Sequence, residues 1–146
     1  MPHLTLPITP KGPLLDFLCG ISKPRADALQ KAGLPVPAPI TVKGLVDTGA
    51  SITGIDQSIL RSLEVVSTGT TPLHTPSTKS ECPHIANLFD ISLMLVHPTL
   101  IRKWHALPVI ESQLTHQGIQ ALIGRDILNS CLMTYDGHAG TFAIGF

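Results

Sequence analysis

The residues with the clearest chemical potential are Leu45-Val46-Asp47-Thr48-Gly49-Ala50-Ser51. An apolar run passes straight into an acid, a hydroxyl residue, a glycine and two small residues. Gly49 frees the backbone for a tight turn whose amides and hydroxyls can hydrogen-bond the Asp47 carboxylate. A carboxylate presented this way can act as a general acid or base. Equally, an acid at a strand end can do no more than satisfy a turn. Other reactive arrangements lack their partners. Cys82-Pro83-His84 is half a metal site, but no second Cys/His pair stands at ligand spacing, so a polar loop is expected there. The seven histidines are scattered singly, with no motif to anchor a cysteine nucleophile. Gly44, Gly49 and Gly54 are not followed by the Gly-Lys-Ser/Thr of a phosphate loop. Arg102-Lys103-Trp104 is expected as a solvated turn rather than a nucleic-acid contact, because ten Lys+Arg balance ten Asp+Glu.

A second segment, Ala121-Leu122-Ile123-Gly124-Arg125-Asp126-Ile127-Leu128, places its Gly124 77 residues after Asp47. Alone it reads as a buried strand turning into a short helix, with Arg125 paired to some acid. Together the two segments resemble the retropepsin-like aspartic proteases, the retroviral protease family with its cellular and bacterial relatives. That family carries an apolar-apolar-Asp-Thr-Gly-Ala motif and, later in the chain, an apolar-Ile-Gly-Arg-Asp/Asn motif. The resemblance covers roughly residues 40–146, and the N-terminal strands more weakly.

The resemblance implies an all-β fold, a closed β-barrel of the retropepsin type with one short C-terminal helix, in a single domain spanning 1–146. It implies an aspartic endopeptidase acting on extended polypeptides, with no metal and no cofactor. Hydrolysis by carboxylates needs two of them sharing a proton, since two carboxyls about 3 Å apart cannot both ionise. The chain offers one Asp-Thr-Gly, so the economical arrangement is a homodimer with Asp47 facing its symmetry mate. Asp47 is then the catalytic acid and base. Thr48 would brace the two loops across the axis, Gly49 would allow the turn, and Ala50 would leave room for substrate. Leu122, Ile123 and Gly124 would support the loop from beneath, with Arg125 and Asp126 beside them. A flap hairpin at about 70–95 would include Thr75, Pro76, Ser77 and Thr78, its tip at Thr78–Pro83, with Phe89-Asp90 opening the long descending strand. The sequence departs from the family in two places. The flap lacks a glycine-rich tip, and Ser51 stands where retroviral enzymes place the acid that pairs with the matching arginine. Arg125 therefore needs another partner, or Asp126 supports a different network. The same fold can also serve as a non-catalytic dimerisation or peptide-binding module. The intact Asp47-Thr48-Gly49-Ala50 counts against that, since a binder has no chemical need of the acid.

Positioning these residues falls mostly to strands. Thirteen Pro and twelve Gly leave little room for long helices. Between them lie eight short runs rich in branched residues, at 3–8, 13–21, 38–47, 70–75, 89–96, 106–110, 131–136 and 141–146, the pattern of an all-β barrel or sandwich. Asp136-Gly137 marks a hairpin between the last two, and the final run, TFAIGF, is expected at a dimer interface. Short helices are expected over 24–33, over 56–63 with Asp56 as N-cap, and for one turn over 125–130. With 146 residues and zero net charge, the chain is one domain that bulk charge does not hold on nucleic acid or an anionic membrane. Cys19, Cys82 and Cys131, odd in number and without close pairing, argue for reduced thiols and a cytoplasmic setting, Cys19 and Cys131 being expected in the core. The first twenty residues lack the basic region of a signal peptide, and no run reaches the ~18 apolar residues of a membrane span.

Overall fold

Alternation of period two builds the walls of the fold. In strand β2 (Leu14–Ile21), Leu15, Phe17 and Cys19 point inward, and in β3 (Ile40–Val46) Val42, Gly44 and Val46 do the same. The computed structural model describes residues 1–74 and 83–146. The remaining strands are β1 (His3–Pro7), β4 (Gly54–Asp56), β5 (Gly69–Leu73), β6 (His84–His97), β7 (Leu100–Ser112), β8 (Ala121–Ile123), β9 (Leu132–Asp136) and β10 (Thr141–Gly145). Among the described residues three short α-helices, α1 (Lys23–Lys31), α2 (Gln57–Ser62) and α3 (Arg125–Leu128), and one 3-10 turn at Thr115–Gln117 interrupt them. Six strands close a barrel in the order β2-β3-β8-β4-β7-β6, the ring completed by antiparallel pairing of β6 back onto β2 from Leu18↔Met94 to Ile21↔Ile91. Closure leaves β5 as an added strand on the outer side of β6.

A second, three-stranded antiparallel sheet runs β1-β10-β9. Its β10 side chains Phe142 and Ile144 are fully buried and join the same core as Phe17, Ile91, Val109 and Ile123 of the barrel. The expected hairpin links β9 to β10: Asp136 accepts a hydrogen bond from the Ala139 amide at 2.8 Å, and Gly140 takes φ +69°. In the run 141–146, strand β10 is hydrogen-bonded on both sides within the chain, by β1 and β9. The open edges of this sheet are β1 and β9.

One further difference has a physical cause. Arg102-Lys103-Trp104 lies within β7, not in a turn. The β6–β7 hairpin continues past its contacts with β2 to a turn at Pro98-Thr99, so this stretch of β7 is paired but largely exposed and carries no apolar alternation. There the Arg102 guanidinium sits 5.6 Å from the Trp104 ring centroid. Helix α1 fills nine residues and buries none of them fully, though Ala26 and Leu29 pack against the core. Cys19 is buried, and removal from water pushes its thiol up to about 12; Cys131 is half-buried. Among the described residues no helix is long and apolar enough to cross a membrane.

Strands β3 and β8 touch closely at Gly44, where a Cβ would stand 2.8 Å from Cγ1 of the fully buried Ile123. Glycine is otherwise a weak strand residue, and this approach accounts for it. Gly44→Val should overpack the site and cost about 1–3 kcal/mol of unfolding free energy, read from the urea midpoint. A variant as stable as the parent would contradict this packing.

Candidate active site

Asp47 follows the last residue of β3, and its backbone position is set by β8. Strand β8 pairs in parallel with β3 (Leu45↔Leu122, Val46↔Ile123) and antiparallel with β4 (Gly54↔Leu122, Ile55↔Ala121). It therefore lies between the two strands that the Asp47 loop connects, and both ends of the loop are tied to the same three residues. The Asp47 amide extends the parallel ladder by donating to the Ile123 carbonyl at 2.9 Å. The chain then turns tightly. The Ala50 amide donates to the Asp47 carbonyl at 3.2 Å, and the Gly49 amide donates to the Asp47 side-chain Oδ1 at 2.9 Å. A carboxylate accepting an amide two residues on is the Asx geometry that favours Asp in turns.

The second segment fastens the loop from below. A Cβ on Gly124 would lie 2.8 Å from the Ile52 carbonyl carbon, so any side chain there would push the loop backbone away. Arg125 finds its partner in backbone: its Nη1 donates to the Thr48 carbonyl at 2.8 Å, and its amide donates to the Ala50 carbonyl at 2.9 Å. The acid that stands at Ser51's position in retroviral enzymes is replaced by main-chain oxygens. Asp126 supports a separate network. It accepts the Thr53 amide at 2.9 Å, the Thr53 hydroxyl at 2.7 Å and the Ile127 amide at 3.0 Å, while the Thr53 hydroxyl accepts the Gly124 amide at 3.1 Å. Thr53 is fully buried and was not among the residues singled out from sequence. Its partners, Asp126 and Gly124, lie more than seventy residues away, so nothing local in the sequence marks it.

Above the loop opens a cavity of about 490 Å³. Asp47, Gly49, Ala50 and Leu122 line it from the loop and β8, Ile110 and Ser112 from β7, and Leu73 and His74 from the end of β5. Asp47 is half-buried, while Thr48 and Gly49 are exposed. Ile123 lies behind the cavity in the core. The hairpin expected as a flap is present at its base, where β5 pairs with β6 from Gly69↔Leu88 to Leu73↔His84. Thr75, Pro76, Ser77 and Thr78, and Cys82 after them, lie outside the described residues. Among the described residues no group of three or more His, Cys, Asp or Glu could hold a metal ion.

A second acid stabilises the far side of the loop. Asp56 does cap α2, as the sequence suggests, its Oδ1 accepting the Ser58 amide at 2.9 Å and the Ser58 hydroxyl at 2.6 Å. Its other oxygen accepts the amides of Leu114 at 2.7 Å and Thr115 at 2.9 Å, joining β4 to the segment that leaves β7. The side chain is 2% exposed. Burial alone would raise its pKa, but the hydrogen bonds from Ser58, Leu114 and Thr115 outweigh it and hold the carboxyl well below the usual carboxylate range. The folded value thus lies beneath that of an unfolded Asp, near 3.9. The resulting stability is complete above that pH and drains away as pH falls through the folded value. Asp56→Asn should cost about 2 kcal/mol at neutral pH. It should also flatten the loss of stability between about pH 5 and pH 2 in urea titrations. Parallel pH curves for the two proteins would contradict this role.

Comparison with solved structures places this fold among known ones. A retropepsin-like aspartic protease from Rickettsia conorii matches with a TM-score of 0.59 at 12% identity, covering 99% of this chain and 91% of that one. The retroviral protease-like domain of Ddi1 from Leishmania major matches at 16% identity over 84% of this chain and 81% of that one, with a TM-score of 0.39 that adds nothing to the case. No family model matches the sequence, and no curated protein matches it. At such identities the likeness establishes fold, and the fold of this chain is the closed barrel of the retropepsin-like aspartic proteases.

Proposed function

We propose that the protein is an aspartic endopeptidase whose active site forms where two copies bring their Asp47 carboxylates together on a two-fold axis. The observation that carries this reading is the placement of Asp47: a half-buried acid, on a loop pinned at both ends, facing a cavity large enough for several side chains. Among the described residues it is the one carboxylate lining that cavity. A single carboxylate cannot both accept a proton from water and donate one to the substrate in the same step, so a second must come from another chain.

In the dimer the two Asp47 side chains share one proton and titrate as a coupled unit. The ionised member takes a proton from water as the oxygen attacks the scissile carbonyl. The protonated member donates to the carbonyl oxygen, giving a neutral tetrahedral diol. Collapse then breaks the C–N bond: the departing nitrogen takes a proton from the acid that received it from water, while the other carboxylate takes back a proton from one diol hydroxyl as the new carboxyl group forms. Both carboxyls end as they began. The Gly49 amide on Oδ1, Arg125 on the Thr48 carbonyl, and the Thr53–Asp126–Gly124 network keep the loop from drifting as charge moves between the acids. The β5–β6 hairpin serves as the flap, pairing with an extended peptide as an added strand.

Asp47→Asn should abolish peptide cleavage, a loss of at least about 10³-fold in kcat/KM, and leave a dimer by sedimentation. Adding excess Asp47→Asn chain to the parent should suppress the parent's activity, because mixed dimers carry one acid. A strict monomer that cuts peptides, or activity indifferent to added variant, would defeat the shared-pair mechanism. Peptide binding without cleavage at any pH would instead assign a non-catalytic binding module.

The second segment gives a further expectation. Thr53→Val keeps shape but leaves the Gly124 amide without its partner and takes from Asp126 Oδ1 one of its two donors, and should cost about 1–3 kcal/mol. Its kcat should fall more than its KM rises, since the loop loses support without losing cavity wall. An unchanged kcat would show that the network does not position the acid.

A further inference from the structure

The cavity over Asp47 is walled mostly by apolar side chains, among them Ile52, Leu73, Ile110 and Leu122. Among the described residues two titratable groups line it: Asp47, from the loop after β3, and His74, the residue after β5. The segments contributed by β4, β7 and β8 bring none. His74 follows directly on the last β5–β6 pair, Leu73↔His84, so the sheet fixes where its backbone enters the cavity. Its side chain is exposed.

We propose that His74 is a specificity-determining residue that selects peptides carrying a carboxylate side chain, Glu or Asp, at the position that occupies this cavity. The inference rests on the proteolytic reading above and adds the substrate class to it. A carboxylate entering an apolar cavity loses its water and meets the negative charge of the Asp47 pair, so without a partner it is rejected. An imidazole is cationic on the acid side of neutrality, where a shared-proton carboxyl pair works. His74 supplies the countercharge from the end of β5, in the same cavity that Asp47 lines. An acidic side chain that reaches it gains a charge-assisted hydrogen bond, whereas its amide counterpart gains a weaker one. Ser112 can offer a hydroxyl to either.

The test uses paired peptides that differ only by Glu or Gln, placed in turn at each position near the cleaved bond. The ratio of kcat/KM for Glu over Gln is measured at about pH 5 and about pH 8. At one position the parent should favour Glu by about fivefold at the lower pH, a modest ratio because the group is exposed, and the preference should vanish at the higher pH. His74→Gln should bring the ratio to about one, and His74→Lys, cationic at both values, should retain it at both. A ratio of one at every position in the parent, or a ratio that His74→Gln leaves unchanged, would overturn the proposal. Calorimetry with uncleavable reduced-amide versions of the same peptides separates this outcome from failure of the catalytic reading. A Glu preference in binding that His74→Gln removes supports the assignment even if no peptide is cut, and binding that ignores the Glu/Gln difference refutes it.

Discussion

The site depends on one backbone arrangement, the passage of β8 between β3 and β4. Three residues of a strand distant in sequence satisfy the hydrogen bonds of both chains that flank the Asp47 loop. Buried amides and carbonyls are costly to leave unpaired, so this short strand cannot leave without exposing donors and acceptors on both sides. The loop is held as a bridge is held, by its two abutments. Its own internal bonds, Gly49 to the Asp47 carboxylate and Ala50 to the Asp47 carbonyl, need only shape a turn whose ends are already placed.

Around this centre the same device recurs: an ionised side chain whose partners are mostly main chain. Arg125 binds the carbonyls' side of the loop, and Asp126 and Asp56 bind amides and hydroxyls. Main-chain partners are fixed by the fold and do not change with neighbouring side chains. The charged groups therefore act as splints between segments that no regular ladder joins. The surface ion pairs, Lys23–Asp27 and Lys43–Asp16, are both roughly half exposed and contribute little by comparison.

What could be read from sequence follows the same division. The barrel class was legible because period-two burial and frequent Pro and Gly are local signals, and the run 13–21 became β2 with Leu15, Phe17 and Cys19 inward as the alternation requires. The two chemical segments were legible as a pair of motifs; of their glycines, Gly124 is demanded by its close approach to the Ile52 backbone, whereas Gly49 has no left-handed φ and a Cβ there would meet only Asp47 Oδ1 at 3.1 Å. Strand β4 escaped notice as a separate run, being three residues long with no alternation to show. The partner of Arg125 could not be named in advance, since a carbonyl leaves no mark on residue identity. Thr53 and the second half of Asp56's role were hidden for a related reason: their partners lie 73 and 58 residues away. The length of β7 was missed because its outer half is exposed on a hairpin that runs beyond the barrel contacts.

The buried Asp56 has a consequence for where such a molecule can operate. A carboxyl pair that shares a proton changes its charge on the acid side of neutrality, and a scaffold stitched by ordinary carboxylates would begin to protonate in the same range. Asp56 stays charged well below it, because four donors surround it and the fold gives them no other acceptor. The tie between β4 and the segment leaving β7 therefore keeps its charge in acid that would neutralise an ordinary carboxylate, and the walls beside the Asp47 loop stay standing there.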